Sequence, residues 1–286
     1  MTTIAPEKEH AEQPPRFSVV IPAYNEEELI GDCLASLTRQ DFGEPFEIIV
    51  VDNNSTDRTA EIARTRGATV VREETRGVCW ARQCGTLAAT GDIVISTDAD
   101  TMFSPGWLSR IDQTFREDPE RVAVAGPCQF MDAPMWGRLY AWMLFGLVHL
   151  ISRVSGRIPY VSATNIAFRR SAWSGYDTRA TQGGDEVGLM RQLRSCGKVA
   201  FDLGNPTFTS SRRLYRGLFY NIFVTCLFYY VLGYWVNRLF GRTLVGMAPS
   251  FRGKAMRPES RRARLVMASV AVVVCVVAGR LAVILV

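Results

Sequence analysis

Hydrophobic and polar positions come in regular blocks over the first two-thirds of the chain. Phe17-Ser18-Val19-Val20-Ile21-Pro22 reads as a strand stopped by proline. Polar Asn25-Glu26-Glu27-Glu28 then opens a helix over 25–40, with its acids at the positive end of the macrodipole. Residues 46–51 form a second apolar strand, followed by Asp52-Asn53-Asn54-Ser55-Thr56-Asp57. Ser55 or Thr56 can cap a helix through Arg66, which Gly67 ends, and 68–71 make a third, shorter strand. After Gly77 the spacing predicts a helix over 78–90, and Gly91 leads into Ile93-Val94-Ile95-Ser96-Thr97-Asp98-Ala99-Asp100. That run is short, apolar and β-branched, so it reads as a buried strand with two carboxylates at its end. Strand–helix alternation of this regularity implies right-handed crossovers and a mostly parallel sheet, an α/β fold.

Three strand ends are chemically marked: Pro22-Ala23-Tyr24-Asn25-Glu26, Asp52-Asn53-Asn54, and Asp98 with Asp100. In open α/β sheets, ligands bind at the carboxyl ends of the strands. Residues i and i+2 share a side of an extended backbone, so Asp98 and Asp100 can face one hard cation. Mg²⁺ or Mn²⁺ takes oxygen ligands and commonly bridges one or two carboxylates to substrate phosphates. On one edge of one sheet, the three clusters describe a single ligand crevice. No Gly-x-Gly-x-x-Gly follows the first strand and no Walker sequence is present, which argues against dinucleotide and P-loop chemistry.

Charge divides the chain. Over all 286 residues the net charge is +5, but 1–205 carry 21 Lys+Arg against 27 Asp+Glu, and 206–286 carry 12 against 1. Cations beside long apolar runs point to an anionic membrane face rather than to nucleic acid, and nothing resembles a zinc finger or RNA-recognition motif. Residues 265–286, about 33 Å long as a helix, are enough to span a bilayer core. Residues 218–236 are also long enough, though aromatic-rich and interrupted by Asn221 and Thr225. The intervening 238–264 carry eight cations and one acid, which the positive-inside tendency would keep on the cytoplasmic side. A third apolar run, 135–151, includes Gly137, Arg138, Gly146 and His149 and reads as a core or interfacial helix. Residues 1–16 are polar and read as a disordered lead-in. Seven cysteines without metal-ligand pairing suggest free thiols in a reducing compartment.

Ser-Val-Val-Ile-Pro-Ala-Tyr-Asn-Glu-Glu (18–27), Ile-Val-Val-Asp-Asn-Asn-Ser-Thr-Asp-Arg-Thr (49–59) and Asp-Ala-Asp (98–100) together resemble family 2 glycosyltransferases of the GT-A fold. Gly77-Val78-Cys79-Trp80-Ala81-Arg82-Gln83-Cys84-Gly85 is similar to that family's segment before the metal motif. The resemblance covers roughly 17–210 and implies a Rossmann-like mixed sheet that binds a nucleotide-sugar donor. It implies that Pro22, Tyr24 and Glu26 border the nucleoside and that Asp52 hydrogen-bonds the base, with Asn54 beside it. Arg82 would approach the diphosphate or organise the acidic loops, Asp98 would meet the ribose or the metal, and Asp100 would ligate the metal. Gln83 stands where the family usually has Asn, and Asn53-Asn54 replace a more acidic pair, leaving uracil and guanine both open as the base.

In the second half, Val161-Ser162-Ala163-Thr164-Asn165-Ile166-Ala167-Phe168-Arg169-Arg170 resembles the segment lining the sugar pocket. Gly183-Gly184-Asp185-Glu186-Val187-Gly188-Leu189, opening a helix through Cys196, resembles the Glu-Asp motif with its acids reversed. An inverting transfer needs a carboxylate within reach of the acceptor hydroxyl, and Glu186 and Asp185 are the two candidates. Arg212 and Arg213 either clamp a diphosphate or form a basic flank to the membrane segment. The Gln-x-x-Arg-Trp motif of processive synthases is absent, which predicts single additions.

The expected architecture is therefore a GT-A catalytic domain over 17–210 and a membrane-associated region over 211–286, with candidate membrane helices at 218–236 and 265–286. The expected activity is divalent-cation-dependent transfer of one sugar to an acceptor at the cytoplasmic membrane, lipid-linked acceptors included, with the catalytic domain facing the cytoplasm. A polyprenyl-phosphate acceptor, already anionic, would need no general base. The rival readings are a nucleotidyltransferase, which would want a Gly-rich loop after the first strand, and a non-catalytic membrane scaffold that keeps the fold.

Overall fold

The computed structural model describes residues 14–178, 184–241 and 244–246. In chain order it runs β1 (Phe17–Ala23), α1 (Ile30–Leu37), β2 (Phe46–Asp52), α2 (Thr59–Thr65), β3 (Thr69–Arg72), α3 (Val78–Ala88) and β4 (Ile93–Ser96). These are the elements that the hydrophobic pattern predicts, with one trimmed boundary of consequence. The first helix starts at Ile30 rather than Asn25, because Asn25 has a left-handed backbone (φ 51°) and its side chain is engaged across the next loop. Then follow β5 (Thr101–Phe103), α4 (Trp107–Glu117), β6 (Arg121–Ala125), β7 (Cys128–Met131), α5 (Met135–Ser155), β8 (Ile166–Arg169), α6 (Leu189–Cys196), β9 (Lys198–Phe201) and β10 (Thr207–Ser210).

Seven strands form the main sheet in the order β3-β2-β1-β4-β8-β6-β9. The first four pair in parallel, as the alternation predicts. β8 lies antiparallel to both β4 and β6, which makes the sheet mixed, as the family resemblance implies. A second sheet, β5-β10-β7, has three short strands and was not legible in the pattern.

β1 is apolar but for Ser18, whose hydroxyl donates to Glu47 Oε1 (2.5 Å), because both of its faces are covered. Phe17, Val19, Ile21 and Ala23 point to one side with α1 and α4, where Leu34, Leu37, Trp107, Ile111 and Phe115 complete a dry layer. Val20 points to the other side, with Ile49, Val51, Ala81 of α3, Val148 of α5 and Leu193 of α6. α3 lies so close to the sheet that a Cβ on Gly85 would come within 2.4 Å of Val20 Cγ1 and 2.8 Å of Val51 Cγ2. Only glycine permits that approach, and it fixes how far Arg82, one turn earlier, reaches along the sheet.

After β10 a helical segment begins. Tyr220–Leu232 is wound wider than an α-helix, and α7 (Gly233–Phe240) continues it. The expectation of a membrane helix over 218–236 is not met in this form: among the described residues, no helix is long and apolar enough to cross a membrane. The candidate span 265–286 and residues 1–13 of the lead-in expected over 1–16 lie outside the described residues.

Candidate active site

The parallel register aligns the strand ends. Ala23, last in β1, pairs with Asp52, last in β2, and Val20 pairs with Ser96, last in β4. The three marked clusters therefore leave the sheet side by side. The first two loops are laced together: the Asn25 amide donates to Ser55 Oγ (3.0 Å), and Thr56 N donates to Asn25 Oδ1 (2.7 Å). Glu26 N donates to Thr59 Oγ1 (2.8 Å). Asp52 is buried and accepts the amide of Ser55, three residues on (3.0 Å), which holds its carboxylate against the start of the following loop. Asn53 bonds the carbonyls of Glu73 and Thr75 and accepts the Gly77 amide (2.8 Å), so it braces the loop in front of α3. Asn54 is held in a left-handed conformation (φ 71°) and donates to the Glu74 carbonyl (2.5 Å). Pro22 is half-buried in the last turn of β1, and the Tyr24 ring lies 3.9 Å beneath the Arg76 guanidinium. Arg76 was not singled out in the sequence, although its place just before Gly77 was the available signal.

Arg82 sits under the acidic loop. Buried to 2 % exposure, it donates to the Ser96 hydroxyl, to the Thr97 carbonyl (3.1 Å) and to Asp98 Oδ1 (2.7 Å). These contacts tie Arg82 to the acidic loop. Gln83, the departure beside it, accepts the Tyr176 amide (2.8 Å) and ties α3 to the loop after β8.

Asp100 is the most constrained acid. Thr209 Oγ1 of β10 donates to its Oδ1 (3.1 Å), and Arg212 Nη2 donates to its Oδ2 (2.7 Å). The same guanidinium takes Glu26 in a fork, at 3.0 and 3.1 Å. Arg212 thus joins the first strand end to the third. Burial raises the Asp100 pKa and the Asp98 charge adds to it, while Arg212 and Thr209 work the other way. Arg213, by contrast, is exposed and its carbonyl accepts Asn221 Nδ2 (2.9 Å). The sequence offered the two arginines as a pair; the structure brings Arg212 to Glu26 and Asp100. Thr209 was passed over because a threonine in a short strand carries no signal of its own.

Glu186 reaches the same region through two hydrogen bonds in relay. Its Oε1 accepts the Ala163 amide (3.0 Å), and the next carbonyl, of Thr164, accepts Thr97 Oγ1 (2.9 Å), one residue before Asp98. Burial pushes the thiol of neighbouring Cys128 up to about 12, against a hydrogen bond with Thr164, and the charges of Asp98, Asp100 and Glu186 add to that shift. Cys128 therefore feels all three acids at once. The side chain of Asp185 lies outside the described part of the structure.

The residues present suit a divalent cation. Asp98 and Asp100 are hard oxygen donors, and the buried Asp100 charge is one that a cation would relieve. Among the described residues no group of three or more His, Cys, Asp or Glu is placed to hold a metal unaided. Two carboxylates with substrate phosphates and water completing the shell is the usual arrangement for Mg²⁺ and its like.

Comparison with known proteins fits this geometry. A solved structure of glucosyl-3-phosphoglycerate synthase from Mycobacterium tuberculosis, in complex with Mn²⁺, uridine diphosphate and product, superposes with a TM-score of 0.57 at 20 % identity, covering 78 % of this chain and 80 % of that one. The glucosyl-dolichyl phosphate glucuronosyltransferase of Haloferax volcanii is 29 % identical over 189 residues, 60 % of this chain and 59 % of that protein. An uncharacterized glycosyltransferase of Bacillus subtilis, YfnE, is 32 % identical over 133 residues, 44 % of this chain but 32 % of its own length. This chain thus matches only part of these curated relatives. The model of "Glycosyl transferase family 2" matches residues 18–175, more than half the chain and all three acidic strand ends. The chain belongs to glycosyl transferase family 2.

Proposed function

We propose that the protein transfers a single sugar from a nucleoside-diphosphate sugar to an acceptor at a membrane surface, with inversion at the anomeric carbon. The observation that carries this reading is the Glu26–Arg212–Asp100 bridge beside Asp98. It puts a fixed cation and two metal-ready carboxylates together at the carboxyl edge of the sheet.

In this reading Asp52 receives the base, with Tyr24, Pro22 and Asn54 bordering the nucleoside, and Arg212 sits where a diphosphate would arrive. The acceptor oxygen attacks the anomeric carbon as the bond from that carbon to the diphosphate oxygen breaks. The nucleoside diphosphate leaves with the electron pair, and Arg212 offers it a guanidinium fork. A divalent ion held by Asp98 and Asp100 would supply further neutralisation of that leaving group. Glu186 takes the proton of a hydroxyl acceptor, its carboxylate oriented by the Ala163 amide; Asp185, adjacent in sequence, is its competitor. A polyprenyl phosphate acceptor, the class named in another Haloferax volcanii relative, a dolichyl-phosphate hexose transferase 39 % identical over 94 residues, arrives without that proton and dispenses with the base.

Incubation with a panel of uridine and guanosine diphosphate sugars, in Mn²⁺ and in EDTA, with mass spectrometry of the membrane lipids, tests the proposal. Sugar transfer or donor hydrolysis that needs the metal supports it. Donor binding without turnover on any acceptor favours the scaffold reading instead.

A further inference from the structure

α5 carries apolar side chains around most of its circumference, interrupted by Arg138 and Arg153, yet only one side is packed. Gly137, Ala141, Phe145 and Val148 face the protein, while Leu139, Trp142, Met143, Leu147, Leu150 and Val154 stand in solvent, Trp142 at 74 % and Val154 at 81 % exposure. At 100° per residue the exposed side chains cover an arc of about 160° along a helix about 31 Å long. A helix that is hydrophobic all round belongs in a core or in lipid, and a continuous patch of this size marks an interaction site.

From this face we infer that α5 lies in the headgroup–acyl boundary of an anionic bilayer and sets the active site at the height of a lipid-borne acceptor. The inference rests on the proposal of a membrane acceptor and says which surface meets the membrane. Charge selects lipid over a second protein copy. Residues 135–157 contain no acid, and Arg138, Arg153 and Arg157 are all exposed, the pattern of an interfacial helix that snorkels its cations to phosphates. Residues 206–286 add 12 cations against 1 acid, so two copies would repel where one copy and an anionic surface attract.

The junction with the site is tight. A Cβ on Gly137 would lie 2.6 Å from Leu214 Cδ1, so the first turn of α5 is pressed onto Leu214. Leu214 follows two residues after Arg212, the guanidinium that holds Glu26 and Asp100. The Tyr215 hydroxyl donates to the Asp132 carbonyl (2.9 Å) just before α5 and closes the same junction. Exposed Phe219 and Trp235 lie on the helical segment that leaves this corner. The apolar surface and the acid cluster thus move as one body.

The test places an environment-sensitive fluorescent amino acid at Leu139, Trp142 or Leu150 of the full chain, with Arg64 of α2 as a control on an unrelated surface. Each protein is mixed with vesicles of phosphatidylcholine, with or without phosphatidylglycerol, some carrying brominated acyl chains. A blue shift and bromine quenching at all three α5 positions but not at 64, stronger with phosphatidylglycerol, is the expected result. Probes that stay in water while the protein sediments with vesicles would overturn the inference. So would a blue shift already present without lipid: it assigns the face to another part of the chain if independent of protein concentration, and to a second copy if not. In a second arm, the triple variant Leu139→Glu/Trp142→Glu/Leu150→Glu should lose about tenfold or more in transfer to a vesicle-borne acceptor while keeping metal-dependent donor hydrolysis. Undiminished transfer by that variant overturns the docking, whereas absent donor hydrolysis in the unsubstituted protein removes the glycosyl-transfer reading and leaves the probe result standing.

Discussion

Replacing Arg212 by methionine keeps the length of the side chain and deletes its charge. The guanidinium makes three charge-assisted hydrogen bonds, two to Glu26 at 3.0 and 3.1 Å and one to Asp100 at 2.7 Å. Such bonds are worth about 1.5–3 kcal/mol apiece in isolation, but one guanidinium shared among three cannot count them in full. Both carboxylates are poorly hydrated, at 14 and 18 % side-chain exposure, so stripping their cation leaves Glu26 and Asp100 as neighbouring uncompensated charges. Removing one partner of a buried pair costs about 3–5 kcal/mol, and the partial exposure here argues for the lower figure, about 3 kcal/mol. For a protein of this size that is a fall in Tm of about 6–12 °C. The same logic predicts a compensation. Mn²⁺ at about a hundred times its Kd returns about 2.7 kcal/mol to the variant, whereas in the unsubstituted protein it must compete with the guanidinium and returns less. Calorimetric scans without any donor, in EDTA and in Mn²⁺, measure both effects. An Arg212→Met protein that melts within about a degree of the parent in EDTA refutes the reasoning. So does one that gains no more than the parent from Mn²⁺.

Asp100→Asn should abolish most divalent-ion-dependent turnover and lower Tm by a few degrees without unfolding the protein, since the amide's single oxygen can accept from Thr209 or from Arg212 but not from both; equal rates in EDTA and Mn²⁺ for the parent would contradict this. Glu186→Gln should lower transfer to a hydroxyl acceptor by about 10²-fold or more with donor affinity retained, and should leave transfer to a phosphate acceptor close to normal, as read by kcat and KM separately. Glu47 has a pKa held below its ordinary 4.5: burial opposes ionisation, but hydrogen bonds from the Ser18 and Thr90 hydroxyls and the Thr90 and Gly91 amides outweigh it. Its contribution is therefore complete above the ordinary value and lost as pH falls through the depressed one, so denaturant titrations should show Glu47→Gln with lower stability at neutral pH and a shallower acid limb. Gly85→Ala should destabilise by about 1–3 kcal/mol through overpacking against Val20 and Val51, measured by the same titrations.

The half of the fold nearest the site was legible because its strands are long and two-sidedly buried. β1, β2 and β4 announce themselves as largely apolar, β-branched runs, and each ends on, or is followed within two residues by, polar or acidic positions, Asn25-Glu26, Asp52-Asn53 and Asp98. The second sheet was illegible for the opposite reason. β5 has three residues and β10 reads Thr-Phe-Thr-Ser, patterns that a loop would also show. The same short strands carry the missed partner, Thr209, and their register decides that β10 runs beside Asp100. The direction of β8 was not legible, since a strand of four residues, Ile-Ala-Phe-Arg, has no orientation in its composition. The apolar stretch over 218–236 looked like a span by length and hydropathy alone. Its unusual winding over Tyr220–Leu232 and the polar Asn221, which donates to the Gly217 carbonyl (2.8 Å), are features that hydropathy does not register.

Arg212 shows most clearly where sequence reading stops. Its partners are 186 and 112 residues away along the chain. Neither separation has a local signature, so the sequence left diphosphate clamp and juxtamembrane flank as equals. Geometry separates Arg212 from Arg213 without needing to choose between those uses. Arg212 is held by the acids, Arg213 faces solvent, and Leu214 is clasped by the first turn of α5. Three consecutive residues therefore face three environments: the acid cluster, the solvent and an amphipathic platform. A lipid-borne acceptor has to satisfy these same three at once, with its carrier in the bilayer, its phosphate among cations and its reacting oxygen beside the donor. Leu214 follows β10 by only four residues, so under the membrane proposal this packed junction sets the height of the site above the bilayer.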